Sequence, residues 1–181
     1  MRSPAVSRVA LGIAIIPALC APVFCDCVRL TQGVSVRLEP AAKLSVPAIL
    51  PLLNAGATFS PFLGSLTVSY RLRTSLAGGG AITLQAASDF APSGGPSIAA
   101  GALTYMCAGS TLGISCTGLE SVATGVQSPV LVVPGGACTG RGGICSSANP
   151  NTTVVNFTLE NDSSARTGAY AAQITFVVSA I

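Results

Sequence analysis

The chain has 181 residues, a formal net charge of +3, 50% hydrophobic residues and only 8% charged ones. That balance excludes a disordered chain, which needs high charge and few β-branched residues, and gives no electrostatic reason to expect nucleic acid or acidic lipid as a partner. The sequence has no histidine, so the commonest general base and metal ligand are missing.

The first residues read as an export signal. Arg2 and Arg8 form a positive start, residues 9–16 (VALGIAII) a short apolar core, and Pro17 breaks it. Residues 1–25 are assigned to this signal, with cleavage near 20/21 or 25/26, and residues 26–181 to a single domain. A retained anchor is the competing reading. It is opposed by Pro17, Pro22 and a length short of the roughly 20 apolar residues of a span. The expected location is secreted, periplasmic or cell-surface, with a membrane met only through the signal. Without Arg2 and Arg8 the remainder has seven basic and six acidic residues.

Residues 28–38 alternate, with Val28, Leu30, Val34, Val36 and Leu38 on one side and Arg29, Thr31, Ser35 and Arg37 on the other. This predicts a first strand. Pro40, Pro47 and Pro51 then exclude a central strand, leaving an extended edge or a loop packed by apolar residues. Leu66, Val68, Tyr70 and Leu72 define the inward face of the next strand. The glycines at 78–80 predict a tight return into a strand with Ile82 and Leu84 buried, hence a hairpin.

Residues 89–103 carry the Pro and Gly content of a surface loop. LTYMC and LGISC follow as two short strands around Gly109 and Ser110, a second expected hairpin. Residues 128–136 give an apolar strand bounded by prolines, and residues 137–151 a Gly-rich loop. Val155, Phe157 and Leu159 mark one face of a further strand. The last fifteen residues, TGAYAAQITFVVSAI, alternate again, with Tyr170, Ala172, Ile174, Phe176, Val178 and Ala180 on one side. About eight or nine short strands with regular turn signals predict an all-β sandwich with Greek-key connections, stabilised by disulfides; the resemblances given below make it immunoglobulin-like or pilin-like.

Seven cysteines are present, of which Cys20 belongs to the signal or its edge. Cys25, Cys27, Cys107, Cys116, Cys138 and Cys145 are the disulfide candidates, because an even set in an exported chain points to bridges. Local pairing joins Cys107 to Cys116 and Cys138 to Cys145. Alternatively Cys25 or Cys27 reaches Cys138 or Cys145. A cysteine nucleophile would need a base, which the missing histidine does not supply.

The six acids, Asp26, Glu39, Asp89, Glu120, Glu160 and Asp162, are scattered over loops and strand ends, with no spacing that suggests a catalytic pair or a full calcium loop. GGACTGRGG lacks the Lys-Ser/Thr ending and the following helix of a phosphate loop. No catalytic, cofactor-binding or metal-binding residue is assigned, no cofactor is called for, and no enzymatic activity is expected. Three Asn-x-Ser/Thr triplets, at Asn151, Asn156 and Asn161, fit chance in a chain this rich in Ser and Thr.

The final stretch, with Gly168 fourteenth from its end and an alternating apolar strand after it, resembles the C-terminal strand of chaperone–usher pilins and spore-coat-U-like secreted proteins. Ala180 stands where that family carries a penultimate tyrosine. RTGAY also resembles the tyrosine-corner turn of secreted immunoglobulin-like domains, with Tyr170 as its tyrosine. The pilin resemblance implies an incomplete sandwich finished by a strand from a neighbouring subunit, with residues 28–38 as donor or first strand. It also implies the partners: further copies or homologous subunits, and a periplasmic chaperone. The expected role is therefore an exported structural or surface-interaction subunit, pilin- or coat-like. The competing role is a module binding carbohydrate or cell wall, which the shortage of aromatic platforms disfavours.

Overall fold

A computed structural model of the chain describes residues 32–75, 77–136 and 150–181. The chain divides into two units, Met1–Val36 and Arg37–Ile181. Of the first, residues 32–36 are described, and they are exposed coil. The expected signal and Cys20, Cys25, Cys27, Cys138 and Cys145 lie outside the described residues.

The second unit is all-β, with no helix among its described residues. One antiparallel sheet runs β1 (Ala41–Ser45), β3 (Phe62–Arg73), β9 (Asn151–Leu159), β5 (Leu103–Ser110), β7 (Glu120–Ser121), with β2 (Leu53–Asn54) also on β3. The other runs β10 (Ile174–Ala180), β4 (Gly80–Ala86), β8 (Ser128–Val133), β6 (Ile114–Ser115). Alternation decides which side of each strand meets the other sheet. Leu66, Val68, Tyr70 and Leu72 of β3 are buried, as are Val155, Phe157 and Leu159 of β9 and Ile82, Leu84 and Ala86 of β4. They form one core with Val130, Leu131 and Val133 of β8.

Polar links cross between the layers. Tyr105 of β5 donates its hydroxyl to the Pro129 carbonyl of β8 at 2.8 Å, and Tyr70 donates to the Leu112 carbonyl. These partners let two large phenols sit in an apolar core without an unpaired hydroxyl.

Three sequence expectations need correction. The strands flanking the glycine run do not form a hairpin, because β3 and β4 belong to different sheets. Gly78 and Gly79 instead permit close backbone approach: a Cβ on Gly78 would overlap the Ile181 carbonyl, and one on Gly79 the Val133 carbonyl. Likewise β5 and β6 do not pair with each other; β5 lies between β9 and β7, and β6 lies on β8. Finally, the described part of the expected first strand, residues 32–38, forms no strand, and pairing starts at Ala41 beyond Pro40.

The proline-rich stretch behaves as its residues require. β1 ends at Ser45 before Pro47, and β2 resumes the edge at Leu53 after Pro51. Between them Val46, Leu50 and Leu52 pack against the core, so an apolar loop replaces the strand that proline forbids.

Candidate functional site: an open apolar cleft beside a free strand edge

β10 lies at the end of its sheet and has a strand neighbour, β4, on one side. Which of its backbone groups are left over follows from the ladder. Ala87 N–H donates to Gln173 O at 2.8 Å, and Ile181 N–H donates to Gly79 O at 2.9 Å. In an antiparallel pair, alternate residues face the partner with both backbone groups. The odd-numbered residues of β10 therefore face β4. Ala86 agrees, since it is opposite Ile174 and directs its own N–H and C=O to Ala123 and Gly125. Ile174, Phe176, Val178 and Ala180 thus turn their N–H and C=O groups outward, and no described strand pairs with them in a ladder, although β1 runs close beside β10.

Those same four residues point their side chains towards the core, yet all are only partly buried. Beside Ile174 and Phe176 opens a cleft of about 1050 Å³. Its walls are chiefly apolar, with Leu50, Leu52, Phe62, Phe90, Ile174 and Phe176 among the lining side chains. Residues 46–52 form one wall and supply no strand to the β10 edge, for the proline reason given above. Glu160, Asp162 and Arg166 stand at the rim. Here the core reaches solvent.

The turn before β10 is built around Tyr170. Its hydroxyl donates to the Arg166 carbonyl at 2.8 Å, the hydrogen bond expected of a tyrosine corner. A Cβ at Gly95 would overlap the Tyr170 ring, and one at Gly168 would stand 3.3 Å from it. Ala171 bridges to Ala91, so residues 167–173 form the corner and β10 starts later than the alternation suggests, at Ile174.

Asp89 organises the loop that carries Phe90 into the cleft. Its carboxylate accepts from Phe90 N at 2.8 Å, Ser97 Oγ at 2.7 Å and Ile98 N at 2.6 Å. Burial, the largest single influence, works to raise its pKa. The hydrogen bonds from Ser97, Ile98, Phe90 and Ala99 together outweigh it and hold the pKa below 3.8. Sequence reasoning placed Asp89 only among acids scattered over loops and strand ends. Its signal was an aspartate opening a Pro- and Gly-rich loop, a common site of side-chain to backbone bonds.

The other singled-out residues are placed as follows. Cys107 and Cys116 are bonded, at 5.3 Å between Cα atoms. Cys107 lies in β5, while Cys116 N–H donates to Val130 O of β8, so the bridge joins the two sheets. Asp162 accepts from Ser164 N at 2.8 Å, and Asn161 Nδ2 donates to Ser60 O at 3.0 Å. Asn151 is buried, whereas Asn156 is exposed. The five described acids come together in no group of three. Asp26 lies outside the described residues.

No protein-family model, curated protein or solved structure matches the chain.

Proposed function

We propose that the chain is an exported structural subunit that assembles with further copies by accepting an extended strand along β10 and into the cleft. One observation carries this reading: β10 leaves a row of backbone donors and acceptors without ladder partners, and open core lies beside its Ile174 and Phe176 part. Edges of this kind are templates for strand addition. An added strand would meet the outward groups of Ile174, Phe176, Val178 and Ala180, and its alternate side chains would fill the cleft.

The same chain offers a suited segment. Val34, Val36 and Leu38 share one parity and are 92%, 81% and 68% exposed. Val28 and Leu30 continue that parity in the sequence. Each such side chain yields about 1.5–3 kcal/mol when fully buried, against an ordering cost of about 1–2 kcal/mol per residue. Backbone pairing at about 0.5–1.5 kcal/mol per bond supplies the rest. The resemblance of the last strand to pilins points the same way.

Size-exclusion chromatography of the exported protein, with and without residues 27–39, tests the proposal. Concentration-dependent oligomers are expected from the full protein and monomers from the truncated one. Equal, monomeric elution of both would remove the basis for assembly.

A further inference from the structure

The described charged side chains are sorted along the strands. β3 spans roughly 36 Å from Phe62 to Arg73. At the Arg73 end lie Arg37, Glu39, Lys43, Arg71 and Arg73: β1 begins opposite Arg73, and Arg73 Nε donates to Glu39 O at 2.7 Å. Lys43 stands directly across from Arg71, and both are exposed. Like charges opposed in this way destabilise a strand pair. Among the described residues the salt bridge is Arg37–Glu39, at 3.8 Å, which leaves Lys43, Arg71 and Arg73 without a carboxylate.

At the Phe62 end the balance reverses. β9 finishes opposite Phe62 and leads straight into Glu160 and Asp162. Glu120 lies across from Tyr105, near the start of β5. Asp89 is tied to Ile98, in the loop that enters β5, and Arg166 is the accompanying cation. One end thus carries four cations and one carboxylate, and the other four carboxylates and one cation. Glu160 and Asp162 are exposed and stand on the rim of the cleft.

We infer that this polarity sets the orientation of assembly: the Lys43, Arg71 and Arg73 patch of one copy docks against the Glu160 and Asp162 rim of the next, head to tail. The inference rests on the strand-donation reading. Arg37, Glu39 and Pro40 lead into β1 at the basic end, and Leu38 is five residues from Lys43, about 17 Å at full extension. A strand ending at Leu38 inside another copy's cleft therefore brings its own basic patch to that acidic rim. The opposite approach would set cations against cations, and complementary potentials favour encounter and suppress wrong orientations.

Light scattering of the exported protein gives the test, comparing initial assembly rates at about 20 mM and about 500 mM salt. The wild-type rate should fall about tenfold between them. At low salt, R71E/R73E and E160K/D162K should each assemble about tenfold more slowly than wild type, and an equimolar mixture of the two should recover at least part of the loss. Circular dichroism confirms that each variant is folded. V36D serves as the control for donation itself and should not assemble. Rates within twofold of wild type for both charge variants, with V36D inactive, would overturn the orientation while leaving donation standing. Wild-type assembly by V36D would overturn both.

Discussion

Tyr170 donates its hydroxyl to the Arg166 carbonyl at 2.8 Å, with its ring against Gly95. This contact fixes the corner from which β10 departs, and so determines where the free edge lies relative to the cleft. The ring needs a position at 95 with no side chain, and the hydroxyl needs the carbonyl four residues back.

Tyr170→Phe keeps the ring and loses the hydrogen bond. It should lower stability by about 1 kcal/mol, the usual net value of such a bond. Gly95→Ala puts a methyl where the ring lies and should cost more, about 1–3 kcal/mol. Urea denaturation followed by tyrosine fluorescence measures both. A Gly95→Ala protein as stable as wild type would show that the ring is not confined there.

The Cys107–Cys116 bridge ties the two sheets across a separation of nine residues. Replacing both cysteines with serine should cost about 2–3 kcal/mol, chiefly through a freer unfolded chain. Thermal unfolding of the variant, compared with wild type under non-reducing conditions, gives the value. The variant's transition should come at a lower temperature and remain a single step.

Asp89 gives stability a sign with pH. Its pKa is held below 3.8 in the folded chain, so the folded state favours the ionised form. The stabilisation is present above the unfolded value and is lost as pH falls through the folded one. Asp89→Asn should therefore be less stable than wild type at neutral pH, with the gap closing as pH falls below the ordinary carboxylate range. Denaturant midpoints for the two proteins across the acid range check this. A gap that stays constant would mean that the ionised carboxylate is not what matters.

Tyr105 acts at the other end of the scale. Burial first, and the nearby Glu120 charge second, push its pKa up to about 12. Its contribution is complete below the ordinary value of 10.0 and disappears as pH rises towards the folded value. Ultraviolet titration of phenolate absorbance should show a late component that Tyr105→Phe removes.

Most strands were legible because alternation is a local property. Leu66 to Leu72, and Val155 to Leu159, meet the core on the face that their spacing indicates. Sheet partners were less legible, since neighbours in sequence need not pair. The glycines at 78 and 79 looked like a turn, and they are required by the Ile181 and Val133 backbones, which are distant in sequence. Alternation also misled at residues 34–38, where the pattern is real but the described residues form no strand. An incomplete sandwich was implied by the resemblance of the last strand, but the place and walls of the cleft were not legible. The cleft depends on what Pro47 and Pro51 fail to supply to an edge more than a hundred residues away. The Cys107–Cys116 pairing was read from spacing, but its crossing between sheets was not.

Amide hydrogen exchange along β10 tests the central claim most directly. The protein lacking residues 27–39 is followed by NMR, alone and with a synthetic peptide of that sequence. Alone, the N–H groups of Ile174, Phe176, Val178 and Ala180 should exchange faster than those of their odd-numbered neighbours bonded to β4. With the peptide bound, those four should slow by about tenfold or more, while their neighbours change little. Peptide binding that leaves the four amides exchanging as before, or no binding at all, would contradict strand addition at this edge.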